Sequence, residues 1–117
     1  MLGEFEYLIL SAAAHLGQGA YGAAMRAFME ETAGRRCSLG ALYTTLDRLE
    51  AKGLVSTWMS EPTEVRGGRA RRMVQLTAQG ENEAREFYEA VMRMSLGTAW
   101  SHGGPVSCDA ASGGGES

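Results

Sequence analysis

"SLGALYTTLDRLEAKGLV", residues 38–55, holds a helix, its stop signal and the entry to a strand. Ser38 is a residue of N-cap type, able to accept a hydrogen bond from an otherwise orphaned backbone N–H. Leu42, Leu46 and Leu49 recur at the three-and-four spacing of one buried helical row. Gly53 stands where a left-handed residue commonly ends a helix. Beyond it, "LVSTWMSE" (54–61) has the β-branched and aromatic content of a strand, and "RARRMVQLT" (69–77) is its counterpart. Pro62 and the pair Gly67-Gly68 lie between the two, which predicts a hairpin with a loop several residues long.

Upstream, "GEFEYLILSAAAHL" (3–16) predicts a first helix, with Phe5, Leu8, Ile9, Ala12 and Leu16 on one face. Tyr7, Leu10 and Ala14 form a second apolar row on another side. "GQGA" breaks this helix, and "YGAAMRAFMEET" (21–32) follows as a second, with Met25, Phe28 and Met29 inward. Downstream, Thr77 is the expected cap of a fourth helix running from Ala78 to about Met94 or beyond. From Ser101 onward Val106 is the one sizeable apolar residue, so 101–117 is expected to be a mobile tail. Three helices, a hairpin and a last helix make a mainly α chain with a small β-hairpin: a winged helix-turn-helix at 1–77 and a C-terminal dimerisation helix at 78–100.

Charge is unevenly spread over this plan. Residues 35–72 carry eight basic side chains against four acidic ones, +4, while the rest carries three against ten, −7, so the net −3 hides a dipole. Its positive end covers the third helix and the hairpin, where neutralised phosphates and released counterions would supply binding energy to DNA. Opposite its leucines the third helix is expected to present Gly40, Ala41, Thr44, Thr45, Arg48 and Lys52, small residues near the start and basic ones further along. Small side chains allow close approach to base edges. Arg35 and Arg36 would flank the helix on the backbone. Arg66, Arg69 and Arg71 surround the glycine pair, whose lack of side chains suits a tight turn close to DNA. A solvated hairpin tip that keeps sheet edges apart is the competing reading. Tyr43 likewise has two readings, a phosphate donor or a ring packed under the hairpin.

The blocks "LGEFEYLILSAAAHLGQGAYG", "SLGALYTTLDRLEAKGLV" and "RGGRARRMVQLTAQG" together resemble the PadR family of bacterial transcriptional regulators over roughly residues 2–95. The run Leu42 to Val55 and the pair Tyr21-Gly22 carry the likeness most strongly. The short C-terminal part resembles the compact members with a single final helix. The resemblance implies a ligand-responsive repressor that binds a palindromic double-stranded DNA operator as a homodimer and is released by a small hydrophobic or phenolic effector. It places Ser38, Gly40, Ala41, Tyr43, Thr44 and Thr45 on the groove-facing helix and Arg66 to Arg72, with Gly67 and Gly68, in the wing.

A dimer is also expected from the helices themselves. Tyr7, Leu10 and Ala14 on the first, and Phe87, Tyr88, Val91, Met92, Met94 and Trp100 on or beyond the fourth, would be left uncovered, and such patches mark association sites. The same aromatic and thioether surface suits flat apolar guests, with plain dimer packing as the alternative. A fourth helix folded back on its own domain is the competing arrangement. No motif of a nucleophile, phosphate-cradling loop or metal cluster appears, so no enzyme, cofactor or metal is expected. Two distant cysteines and the lack of a long apolar run point to a reduced, cytoplasmic protein without membrane contact. The alternative function is a winged-helix module that binds protein without reading DNA.

Overall fold

The computed structural model describes residues 2–61 and 70–101. Its elements follow the order α1 (Glu4–Leu16), α2 (Gly22–Ala33), α3 (Leu39–Ala51), β1 (Val55–Met59), β2 (Arg72–Leu76) and α4 (Ala78–Ser95). A 3-10 turn at Gly17–Gly19 separates the first two helices. The expected mainly helical chain with one hairpin is therefore what forms. The chain divides into two compact units, residues 1–84 and 85–117.

Local chemistry accounts for the boundaries. Ser38 Oγ accepts from Ala41 N at 3.0 Å and caps α3. The helix closes where Gly53 takes a left-handed φ of +79°, and Leu54 N then donates back to Leu49 O at 2.9 Å. β1 and β2 pair antiparallel, with Val55 opposite Leu76 and Met59 opposite Arg72. A bridge between Tyr21 and Met73, with Val74 N donating to Ala20 O at 3.0 Å, ties the segment before α2 onto β2. The hairpin is thus fastened to the helices by backbone as well as by side chains.

Thr77 serves both of its neighbours. Its hydroxyl donates to Gly53 O at 2.7 Å and accepts from Gly80 N at 3.0 Å, so one oxygen joins the end of α3 to the start of α4. Gly80 is buried there, and a β-carbon at this position would lie against the backbone carbonyl of Leu54, inside any permitted contact distance. Only glycine lets the root of α4 approach β1 this closely.

The core of the first unit is built from Ile9, Leu10, Met25, Met29, Leu42, Leu46, Leu49, Leu54, Val55 and Val74, all buried. Each large side chain removed from water in this way contributes about 1.5–3 kcal/mol. Leu10 corrects an expectation. Its spacing with Tyr7 and Ala14 suggests an uncovered row of α1, yet its accessibility is 0% within its own chain. The reason is position: α1 lies against α2, α3 and β2, so the Leu10 side of the helix is covered as well as the Ile9 side. Of that row Tyr7 is half-buried and Ala14 alone is exposed.

The second unit holds the remainder of α4 and a turn. Ser95 Oγ donates to Val91 O at 2.6 Å, Leu96 N donates to Met92 O at 3.0 Å, and Thr98 Oγ1 donates to Ser95 O at 2.6 Å. Its large apolar side chains are mostly outside: Tyr88, Val91, Met92, Met94, Leu96 and Trp100 are all exposed, Met94 to 80%. Phe87 is half-buried.

Candidate nucleic-acid interface

The site grows from the exposed face of α3. Once Leu42, Leu46 and Leu49 are buried, the helix turns Gly40, Ala41, Thr44, Asp47 and Arg48 outward. Ser38 is exposed too, although its hydroxyl is already occupied as the cap. The start of the helix therefore offers a surface with little side-chain bulk, followed one turn later by a guanidinium group. Thr45 does not belong to this surface. The expectation that it faces outward with Thr44 fails, because its accessibility is 3%. Positions 42, 45, 46 and 49 follow the three-and-four spacing, which puts Thr45 inside the leucine stripe. Arg48 Nη2 donates to the Thr45 hydroxyl at 3.4 Å, a bond made at the edge of the core.

The basic side chains differ in how much charge they have left to offer. Arg35 lies 3.5 Å from a Glu4 carboxylate oxygen and stacks over Phe5 with its guanidinium 4.7 Å from the ring centre. Arg36 is 3.3 Å from Glu30. Lys52 Nζ donates to Glu6 Oε2 at 3.1 Å, joining the end of α3 to the first turn of α1. Glu6 also accepts from Gly3 N at 3.0 Å. That backbone N–H, the largest influence, holds the Glu6 carboxyl below its ordinary range; burial works against it, and Lys52 adds a smaller lowering. Arg72 is paired with two carboxylates of α3, Asp47 at 2.8 Å and Glu50 at 3.5 Å. Among the described residues Arg48 and Arg71 have no carboxylate partner within ion-pair distance. Arg71 lies over Tyr21, its guanidinium 4.5 Å from the ring centre. Arg66, Gly67, Gly68 and Arg69 lie outside the described residues, as do His102 and Cys108 of the tail.

Arg71 lines a cleft of about 640 Å³ with Tyr21, Tyr43, Leu39, Met59 and Arg72. The start of α2, the start of α3 and the open end of the hairpin meet here. Gly22 lets the Tyr43 ring lie against α2: a β-carbon on it would sit 2.5 Å from the Tyr43 hydroxyl and 2.6 Å from its ring. Tyr43 is half-buried, with the guanidinium of Arg72 5.7 Å from its ring centre. The ring is thus packed between α2 and the hairpin, as one of the two readings expects, and it also borders the cleft. From sequence Arg72 is simply one more positive charge of the wing; its bridge from β2 to α3 emerges only in the fold. The acidic residues four and seven positions after Tyr43 are the available signal.

Among the described residues no three His, Cys, Asp or Glu side chains are placed to hold a metal ion, and no helix is long and apolar enough to cross a membrane. Cys37 is a free thiol beside the cap of α3. The family model described as the transcriptional regulator PadR-like family matches residues 9–86, which takes in everything from the middle of α1 to α4. The chain belongs to the PadR-like family of transcriptional regulators. Members of that family are transcription factors and not enzymes. A PadR-like transcription factor from Bacteroides fragilis is 27% identical, with 78% of this chain matched to 82% of that one at a TM-score of 0.63. RosR of H. salinarum is 28% identical over 84% of this chain and 81% of its own, at a TM-score of 0.61. Bacillus subtilis PadR, solved in complex with operator DNA, is 19% identical; 73% of this chain matches 46% of it at a TM-score of 0.59, a likeness of PadR-like fold. No curated protein matches the sequence.

Proposed function

We propose that this PadR-like chain is a DNA-binding repressor whose α3 enters the major groove while the hairpin meets the adjoining backbone. The observation that carries the reading is the exposed face of α3: Gly40, Ala41 and Thr44 outward at its capped start, Arg48 beyond them, and Arg71 at the hairpin's near end. Small groups at the start of a helix can reach base edges, a threonine or alanine methyl can meet a thymine methyl, and the two guanidinium groups can meet phosphates. Arg36, 83% exposed in its side chain though paired with Glu30, is a further backbone contact, whereas Arg35 is held by both Glu4 and the Phe5 ring. Arg66, Gly67, Gly68 and Arg69 complete the wing in this reading. The operator DNA held by the similarly folded Bacillus subtilis PadR supports the assignment.

The working form is a homodimer. Its support is the exposed stripe of Tyr88, Val91, Met92 and Met94 on α4, with Trp100 exposed beyond the helix, since contiguous apolar side chains left in water mark association surfaces. Phe87 belongs to the same stripe, and Tyr7 and Ala14 are what remains of the first-helix contribution once Leu10 is assigned to the core. Two copies related by a twofold axis require a palindromic operator with half-sites about 34–36 Å apart. The aromatic and thioether side chains of the stripe are suited to a small hydrophobic or phenolic effector, which would release the operator. Such a regulator works in the cytoplasm. A footprint of the purified protein on the DNA upstream of its own gene tests the reading: a protected palindrome is expected. Binding without protection of any sequence, or no retention of DNA at low salt, would overturn it.

A further inference from the structure

A carboxylate on the exposed side of a DNA-reading helix repels phosphates unless it meets a base amine. Yet α3 carries Asp47 and Glu50 there, with side chains 68% and 42% exposed. Their surroundings supply a reason. Arg72 Nη2 donates to Asp47 Oδ1 at 2.8 Å, to Thr57 Oγ1 at 3.3 Å and to Glu50 Oε1 at 3.5 Å. Glu50 in turn accepts from the Thr57 backbone N–H at 3.2 Å and from the Thr57 hydroxyl at 3.0 Å. The Tyr43 ring lies beneath the same guanidinium group. Positions 43, 47 and 50 share one stripe of α3 by the four-and-three spacing. One stripe of the helix is thus given over to holding both strands of the hairpin: β1 through Thr57, and β2 through Arg72, its first residue.

Resting on the DNA-binding reading above, we propose that Asp47, Glu50, Thr57 and Arg72 are positioning residues for DNA recognition. They lock the hairpin to α3 so that Arg71, next to Arg72 in the chain, reaches the duplex in register with the exposed face of the helix. Arg72 itself does not touch phosphate, as its side chain is 21% exposed and two carboxylates neutralise it. The lock also accounts for the two acids: their cost in repulsion is offset by holding a phosphate-binding neighbour in place.

The sign of an acid-to-amide change separates this from simple electrostatics. Neutralising a carboxylate beside DNA should strengthen binding if the carboxylate only repels. The lock requires the opposite. On the duplex footprinted upstream of the gene, Glu50→Gln and Asp47→Asn are expected to bind about three- to tenfold more weakly. Their plots of log affinity against log salt should also be shallower by about 0.9, the share of the single phosphate that a displaced Arg71 no longer neutralises, although no cation has been removed. A variant that merely lowered the folded fraction would keep the wild-type slope. Arg72→Met combined with Glu50→Gln should cost no more than the worse single change, because both break the same link. Tighter binding by either acid variant, an unchanged slope, or additive losses in the double variant would overturn the proposal. Should Glu50→Gln fail to fold, Thr57→Val decides, since it removes one hydroxyl and no charge: a loss of about twofold or more is expected, and unchanged affinity would overturn it. Failure of the wild-type protein to bind any DNA would instead sink the functional reading on which the lock rests.

Discussion

Helices α3 and α4 have the same kind of sequence and opposite fates. Each carries an apolar stripe at helical spacing beneath a polar face. In α3 the stripe of Leu42, Thr45, Leu46 and Leu49 is fully enclosed by the chain's own helices and hairpin. In α4 Gly80 alone is buried, while Tyr88, Val91 and Met94 remain in water. An amphipathic pattern therefore says which side of a helix is apolar, but not whether the cover comes from the same chain. Enclosure within the chain follows where neighbouring elements are short and closely connected, as α1, α2 and β1 are around α3. The outer turns of α4 leave their stripe exposed, and on the reading proposed above a second copy covers it.

Four changes test that contrast, the most damaging first. Leu10→Glu places a carboxylate in the enclosed core and should cost at least about 4 kcal/mol. The expected outcome in circular dichroism is loss of the fold; a folded monomer would return Leu10 to an interface. Met94→Glu with Val91→Glu changes only exposed apolar positions. Thermal stability extrapolated to low protein concentration should hold, while sedimentation should show the proposed dimer weakened by about thirtyfold or more. An unaffected dimer would remove the α4 stripe from the interface. Arg71→Ala should weaken binding to every duplex alike and lower the salt slope by about 1, whereas Thr44→Ala should change which operator is preferred. The reverse pattern would exchange the roles of helix and hairpin.

The smallest effect concerns the foot of α1. Because the folded state holds Glu6 below its ordinary range, the unfolded chain binds a proton there first as pH falls. The stabilisation from Glu6 is complete above the ordinary glutamate range and disappears as pH drops through the lowered folded value. Glu6→Gln should therefore reduce stability near neutral pH slightly and flatten the acid limb of the denaturation midpoint plotted against pH. An unchanged acid limb would show that the Gly3 and Lys52 contacts are too weak to matter.

Much of this is legible from residues alone, and the failures have definite causes. Ser38 and Gly53, and Thr77 as the cap of α4, act through their own backbone neighbourhood, so those roles can be read locally, whereas the bond from Thr77 to Gly53 O spans 24 positions. The leucine row of α3 and the inward methionines Met25 and Met29 follow from periodicity. Thr45 is misleading because its hydroxyl argues for the surface while its position, three residues past Leu42, puts it in the core; geometry outweighs the modest polarity of a threonine that has Arg48 as a partner. Leu10 is misleading because its cover comes from α2, α3 and β2, and no local pattern counts neighbours. Charge is legible as a sum but not as a set of partners. Lys52 meets Glu6 across 46 positions of chain and Arg72 meets Asp47 across 25, separations that only the tertiary fold closes. The apparent cationic end of the chain is accordingly less cationic than its residue count.

The close approach at Gly80 has a consequence for how this chain tolerates change. Its neighbours Gln79 and Glu81 are exposed and should accept nearly any substitution. At residue 80 even alanine would force apart the root of α4 and the entry to β1, with a backbone carbonyl that has nowhere to retreat. A library of variants across this turn should thus show one position admitting a single amino acid between two that admit almost all. Natural drift of the sequence is barred at the smallest residue in the turn and free at the larger ones beside it.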